Sequence, residues 1–338
     1  MTGDRPLVLV TGATGAVGPR VVEALGKAGY DVRTFSLDAP RPDMWPSGAH
    51  DVRLGDIRNP EDVLAAMHGV DAVIHLAALL HIVNPPDALQ DHYRNVNIGG
   101  TKTVVDAAIK AGVNRVIYFS TIAVYGPTNG RIIDEETAPR PETFYAETKL
   151  EAERIILAAR NKMDLPIGTS LRLAAVYGSR IKGNYSHLLQ ALRRGWFIPV
   201  GDGLNRRTLI YDKDAAGAAV LVLQNPAAAG RLYNVSDGQY HTVGEIIEAI
   251  CHALIRRPPR IFIPVTLVRF AVGLLEDSAN WMGLKSPLVR ASIDKYVEDV
   301  AVDSRRIRKE LGFQPTFDLT SGWQDTVDEM KRAGLLKS

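Results

Sequence analysis

The sequence predicts an α/β fold, a doubly wound parallel sheet followed by a smaller C-terminal α/β lobe, on the strength of three observations. Apolar runs alternate with segments of helical length through the first half, and a glycine-rich turn follows the first apolar run directly. The rhythm then loosens after Ala175, where Gly-rich and Pro-rich connectors gather at 178–183, 201–203 and 257–264. Residues 1–175 are therefore expected to form the sheet domain. Residues 176–338 are expected to form mainly a second lobe, interleaved with the end of the sheet.

Strands are expected at 7–10, 31–37, 51–54, 72–77 and 115–120, with helices at 17–28, 60–67, 98–111 and 145–159. The run Ala72-Val73-Ile74-His75-Leu76-Ala77 is apolar on nearly every position, as a parallel strand covered on both faces requires. The later apolar stretch 261–275 is interrupted by Pro264 and Arg269 and is shorter than the roughly 20 residues that cross a bilayer. It reads as an amphipathic helix. It would either cover the core of the second lobe or dock at a membrane surface or a lipid-linked substrate.

Composition narrows the class. In 338 residues, 40 Lys plus Arg balance 38 Asp plus Glu, giving a formal charge of +2 with no long like-charge block, so neither nucleic acid nor an anionic membrane surface is indicated. The pairs Arg193-Arg194, Arg206-Arg207, Arg256-Arg257 and Arg305-Arg306 read mostly as solvated faces. With 46% hydrophobic residues the chain has ample material for a core. The single Cys251 excludes an internal disulfide, and with eight scattered His it offers no zinc cluster, so no metal is expected. No secretory leader pattern precedes the first strand, and a reducing, cytoplasmic setting is expected.

The turn is Thr11-Gly12-Ala13-Thr14-Gly15-Ala16-Val17-Gly18, placed between the first strand and the first helix. Gly12 permits the tight turn, Gly15 lets backbone approach a pyrophosphate, Gly18 lets helix and strand pack closely, and the helix start offers free N–H groups. That order points to dinucleotide binding. Further along, Tyr145-Ala146-Glu147-Thr148-Lys149 sets a phenol and an ammonium four residues apart on one helical face. An adjacent ammonium favours phenolate, so the pair is expected to lower the tyrosine pKa and make it usable for proton transfer with a hydroxyl.

T-G-x-x-G-x-x-G followed by Y-x-x-x-K resembles the short-chain dehydrogenase/reductase superfamily. The segment Ser120-Thr121-Ile122-Ala123-Val124-Tyr125-Gly126 resembles the S-[ST]-x-x-V-Y-G of its extended branch, the NAD-dependent epimerase/dehydratase family. The resemblance spans about residues 7 to 330 and includes Leu171-Arg172-Leu173-Ala174-Ala175-Val176-Tyr177-Gly178, 201–214, Tyr233-Asn234-Val235-Ser236 and Leu311-Gly312-Phe313-Gln314-Pro315. It implies a Rossmann-type domain and an enzyme with Thr121, Tyr145 and Lys149 as catalytic residues, with Ser120 as the alternative hydroxyl. For the cofactor it implies Gly12, Thr14, Gly15, Ala16, Val17, Gly18, Ser36, Asp38, Asp56, Ile57, Leu76, Ala77, Ala78, Asn97, Ser120, Tyr145 and Lys149.

NAD is favoured, with NADP as the alternative. Ser36 stands at the end of the second strand with Asp38 two residues on, while Arg33 and Arg41 are near enough in sequence to serve a 2′-phosphate. Ile122 and Ala123 occupy positions where related dehydratases and decarboxylases carry acids, which leaves reversible hydride transfer at a carbinol.

The resemblance is closest to nucleotide-sugar 4-epimerases and 4-ketoreductases, and implies substrate contacts from Thr121, Ala175, Arg207 and Asp214 and a homodimer through two long helices. Arg207 would grip a diphosphate, or else form a surface ion pair with Asp202 or Asp212. Tyr185, Trp196 and Phe197 would stack on a base or sugar, or else belong to the core. Ala175 and Leu173 depart from the Asn and Pro usual at those places. The competing readings are a 3β-hydroxysteroid dehydrogenase-like ketoreductase for apolar alcohols and a non-catalytic NAD(P)-sensing regulator.

Overall fold

A computed structural model describes residues 5–41, 44–45, 51–79, 87–195, 197–281 and 290–336. The first half runs β1 (Leu7–Thr11), α1 (Gly18–Lys27), β2 (Asp31–Ser36), β3 (Asp51–Leu54), α2 (Pro60–Ala66), β4 (Ala72–His75), α3 (Asp87–Tyr93), a π-helical stretch (Arg94–Gly100) and α4 (Thr101–Ala111). It continues through β5 (Arg115–Thr121), a 3₁₀ turn (Ile122–Tyr125), β6 (Ile132–Ile133), α5 (Phe144–Ala158) and β7 (Gly168–Leu173). Then follow β8 (Ala175–Tyr177), α6 (Asn184–Arg194), β9 (Arg206–Arg207), β10 (Leu209–Tyr211), α7 (Asp212–Gln224), β11 (Leu232–Val235), β12 (His241–Thr242) and α8 (Val243–Ala253). The chain closes with α9 (Val265–Trp281), α10 (Arg290–Val297), β13 (Ala301–Val302), α11 (Arg305–Leu311) and α12 (Leu319–Arg332).

Seven strands form one sheet in the order β11-β7-β5-β4-β1-β2-β3, every neighbouring pair parallel. Strand order reverses between β1 and β4, which opens a crevice over their C-terminal ends. The period-2 alternation of β1 decides which helix meets which face. Val8 and Val10 pack with Val21 and Leu25 of α1 and Ala219 of α7, whereas Leu9 packs with Val63 of α2, Val104 of α4 and Ile156 of α5. A separate core holds the lobe together, with Trp323 of α12 stacked on Tyr177 at 4.6 Å between ring centres and Ile246 and Ile250 of α8 in the same cluster.

The expected elements are present, with shifted ends. β2 stops at Ser36, leaving Leu37 exposed, and β4 stops at His75. The α-helix expected from 98 begins at Thr101, after the π-helical stretch, where the Thr101 hydroxyl donates back to the Asn97 carbonyl at 2.6 Å. The apolar stretch expected at 261–275 becomes α9, which starts just after Pro264 and runs on to Trp281. Among the described residues, no helix is long and apolar enough to cross a membrane.

The two halves are tied by an ionic network. Arg20 of α1 donates to Asp212 at the start of α7 (3.1 Å) and to Glu329 of α12, which also receives Ser179 (2.7 Å) and pairs with Lys213 (3.0 Å). Burial alone would raise the Glu329 pKa, but hydrogen bonds from Ser179, Arg20 and Lys213 outweigh it and bring the group down to about 2. A carboxylate depressed in this way stabilises the fold above its unfolded pKa near 4.5 and loses that contribution as pH falls toward 2. Glu329→Gln should therefore lower the denaturation midpoint at neutral pH, with the gap to the parent protein closing across that acid window. An unchanged gap would remove the link.

Candidate active site

The glycine turn is built by close approach. Gly12 has φ +68°, donates to the Phe35 carbonyl at 2.8 Å, and a Cβ there would stand 2.7 Å from Ala77 Cα. At Gly18 a Cβ would fall 2.2 Å from the Ala13 carbonyl oxygen, so helix and turn meet without room for a side chain. Gly15 differs: a Cβ there would meet only the Gly12 oxygen at 3.0 Å, leaving its outer side open. No side chain caps α1 at Val17; Pro19 has no N–H to satisfy, and the Arg20 and Val21 N–H groups donate to the Val17 carbonyl (3.0 and 3.2 Å). The Thr14 N–H reaches the buried Ser36 Oγ at 3.2 Å, tying the turn to the end of β2. An open glycine face at the positive end of α1, over the crevice between β1 and β4, fits a pyrophosphate.

Around that turn, Leu76, Ala77 and Ala78 are half-buried beyond β4, with the Ala77 N–H 3.4 Å from Thr11 Oγ1. Asp38 is exposed. Asp56 turns its carboxylate to Arg58 (2.5–3.0 Å), and Ile57 is a core side chain pressed against Gly100, where a Cβ would come within 2.4 Å of it. Arg33, offered by its position to a 2′-phosphate, instead donates to Asp51 (2.6 Å) and to the Ala66 and His68 carbonyls (3.0 and 2.5 Å). It is committed to holding β2, β3 and α2 together.

The catalytic candidates lie on β5 and α5, and the cofactor candidate Asn97 lies on the π-helical stretch. Thr121 Oγ1 accepts the Ala123 N–H at 3.2 Å and so caps the 3₁₀ turn. A hydroxyl that accepts one bond still has its own hydrogen to donate. Ser120 Oγ is buried with no hydrogen-bond partner among the described residues. Asn97 is buried and bridges elements: its Oδ1 accepts the Leu79 N–H (2.8 Å) and its Nδ2 donates to Thr148 Oγ1 (3.0 Å), one turn of α5 beyond Tyr145. Thr143 caps α5 by accepting the Ala146 N–H at 3.2 Å, which fixes where the Tyr145 face begins.

The expectation that Lys149 lowers the tyrosine pKa is not met in this geometry. Burial, with the neighbouring Tyr93 phenol, pushes Tyr145 up to about 12, and Lys149 is itself brought down to about 7 by burial, against the opposing charge of Glu153. The Lys149 Nζ donates to the Phe119 carbonyl at 2.5 Å and lies 4.1 Å from the Tyr118 ring centre, so its positive end is held by β5. Nearby His75, pushed down to about 3 by burial and by Lys149, is neutral between Thr11 (2.6 Å) and Thr101 (3.0 Å). The Tyr145 phenol is thus protonated at neutral pH.

Behind Lys149 stands a pair that the motifs did not single out. Glu153, one turn further along α5, accepts from Arg172 Nε (3.0 Å) and Nη2 (2.5 Å) and from Ser170 Oγ (3.0 Å), all buried. Arg172 in turn lies 4.5 Å from the Tyr125 ring centre, and the Tyr125 hydroxyl donates to Asn234 at 2.8 Å. The available signal was a Glu four residues after Lys149 and an Arg set between Leu171 and Leu173.

The substrate-side candidates fare differently. Asp214 is buried and both its oxygens accept backbone N–H groups, from Thr316 (2.8 Å) and Phe317 (3.1 Å), so its expected substrate contact gives way to anchoring the turn before α12. Arg207 forms neither of the ion pairs open to it: Asp202 accepts the Leu204 N–H and Asp212 holds Arg20. Its Nη2 donates to the Lys295 and Tyr296 carbonyls (2.9 and 2.8 Å), leaving Nε and Nη1 uncommitted among the described residues. Ala175 is exposed on β8. Tyr185 and Phe197 pack against the lobe core, while Trp196 lies outside the described residues.

Residues 8–236 match the family described as NAD dependent epimerase/dehydratase. The chain belongs to that family. It is an NAD(P)-dependent enzyme of the extended short-chain dehydrogenase type, with NAD as the family's cofactor. Over 342 residues it is 28% identical to UDP-glucose 4-epimerase of Vibrio cholerae, covering 98% of both chains. Over 331 residues it is 27% identical to the 3 beta-hydroxysteroid dehydrogenase/Delta 5-->4-isomerase of Mycobacterium tuberculosis strain ATCC 25618 / H37Rv, covering 94% of this chain and 88% of that one. The solved structure of MoeE5 in complex with UDP-glucose and NAD is similar with a TM-score of 0.75 at 26% identity, covering 98% of this chain and 99% of that one.

Proposed function

We propose that the chain moves hydride between NAD and a sugar carbinol, C4 of a nucleotide-linked sugar, as a 4-epimerase or 4-ketoreductase. One observation carries the reading: Tyr145 and Lys149 on one face of α5, with Thr121 at the end of β5 followed by Ile122 and Ala123 instead of carboxylates. The relatives of matching length, among them a UDP-glucose 4-epimerase, support the substrate class.

In this reading Gly12, Thr14, Gly15, Ala16, Val17 and Gly18 hold the pyrophosphate, Ser36 and Asp38 the adenosine ribose, and Leu76, Ala77, Ala78 and Asn97 line the way to the nicotinamide end. When bound, NAD supplies the hydride acceptor and donor. Thr121 donates its hydroxyl hydrogen to the reacting oxygen, with Ser120 beside it. Tyr145 gives its proton to that oxygen during reduction and takes it back during oxidation, and Lys149 orients the site from beneath. Arg207 offers Nε and Nη1 to a diphosphate. A homodimer through α4 and α5 belongs to the same proposal, and light scattering at the mass of one chain would remove it.

Two measurements test the reading. Titration should give tighter binding of NAD than NADP, because Arg33 is held by Asp51 and two carbonyls; tighter NADP binding would reverse the assignment. Incubation with UDP-glucose should yield its C4 epimer without net NADH, whereas net cofactor turnover with a 4-keto sugar indicates the ketoreductase. The second reading, an apolar-alcohol ketoreductase, is favoured by the 27% identity to a 3 beta-hydroxysteroid dehydrogenase/Delta 5-->4-isomerase over 94% of this chain. Turnover of a hydroxysteroid with no reaction of any UDP-sugar would establish it in place of the first.

A further inference from the structure

Among the described residues, large apolar side chains left exposed are concentrated in one place. Ile255, Ile261, Phe262, Leu267, Phe270, Leu274, Leu275 and Trp281 all fall within 255–281, and those elsewhere are scattered. On α9 the positions 267, 270, 274 and 281 recur at helical spacing and form a stripe, with Phe270 68% and Trp281 90% exposed. The other side of the helix is the one that packs: Val272 is buried and Val268 and Glu276 are half-buried. Isolated exposed apolar residues need no explanation, but a stripe this dense on one helix does.

Charge identifies the occupant. The acidic groups of α9 are neutralised within the lobe, since Glu276 and Asp277 both receive Arg290 (3.0 Å to Asp277), and Asp294 of α10 pairs with Arg269 (3.1 Å). At the approach to the helix, Arg256, Arg257 and Arg260 are exposed and have no carboxylate partner among the described residues. The near-neutral total of the chain conceals this local cluster. A bilayer interface accepts an apolar helical stripe with Trp at the headgroup level, and anionic headgroups complement a flanking group of arginines.

We propose that α9 and the 255–262 segment before it form a docking surface for an anionic lipid bilayer, with the stripe of Leu267, Phe270, Leu274 and Trp281 entering the headgroup boundary and Arg256, Arg257 and Arg260 pairing with lipid phosphates. The surface holds the enzyme at the membrane reversibly and without spanning it.

The test is flotation of the full chain with vesicles of about three parts phosphatidylcholine to one part phosphatidylglycerol, against phosphatidylcholine alone and at raised salt. The expected result is association with the mixed vesicles, weakened by salt, and a blue shift of tryptophan emission that Trp281→Phe abolishes. Each basic residue at an anionic surface is worth about fivefold in affinity, so the triple change Arg256→Gln, Arg257→Gln and Arg260→Gln should weaken binding about 100-fold. Phe270→Glu with Leu274→Glu should abolish it, with NAD affinity kept as the measure that the chain remains folded. No association of the parent chain, association indifferent to the arginine changes, or a stripe-dependent dimer in place of vesicle binding would overturn the proposal. If the double glutamate variant loses NAD binding, the arginine series and the Trp281 emission decide.

Discussion

Tyr145→Phe should lower turnover by about 10²- to 10⁴-fold while NAD binding stays essentially unchanged. The aromatic ring survives the change, and only the oxygen that carries the proton is removed. The expectation is sharpened by the high pKa of that phenol, pushed up to about 12 by burial. A protonated phenol is already the donor that carbonyl reduction needs, so its loss removes the proton source and not merely a charge. Single-turnover measurement with the reduced cofactor reads the chemical step directly. A rate within a few-fold of the parent protein would end the assignment of Tyr145. Lys149→Ala tests a different function, because the lysine is held by the Phe119 carbonyl and the Tyr118 face and titrates near 7. Its removal should alter the pH profile near neutrality as well as the rate.

Arg172→Leu should destabilise the fold by about 3–5 kcal/mol, the cost of leaving a buried carboxylate without its counter-charge. Glu153 and Arg172 are almost wholly enclosed, with side-chain exposures of 2% and 4%, so solvent screens the pair little. After the change, Glu153 would retain Ser170 and the more distant charge of Lys149. Combining Arg172→Leu with Glu153→Gln should recover part of the loss, because the second change removes the stranded charge. Chemical denaturation of the two single variants and the double gives the coupling. If the double variant were as unstable as the sum of the singles, the pair would contribute packing and no charge compensation.

The glycine turn shows how much could be read from order alone. Gly12, Gly15 and Gly18 lie within one strand-to-helix junction, so their chemistry follows from local backbone geometry, and the structure places them where that geometry requires. Asp214 shows the opposite. Its position in a resembling segment suggested substrate contact, yet Thr316 and Phe317, about a hundred residues away, take both its oxygens. Arg33 and Arg207 follow the same pattern, each spending guanidinium donors on backbone carbonyls brought near by the fold.

The sequence by itself determined the alternation that makes a parallel sheet, the glycine spacing at its first turn, the family, and the four-residue step from Tyr145 to Lys149. All of these are properties of neighbouring residues along a chain whose local periods are fixed by covalent geometry. Only the tertiary structure decided that burial raises Tyr145 and lowers Lys149, that Glu153 meets Arg172 beneath them, and that the stripe on α9 faces outward. Desolvation and long-range pairing depend on which distant segments exclude water from a group, and no local spacing carries that information.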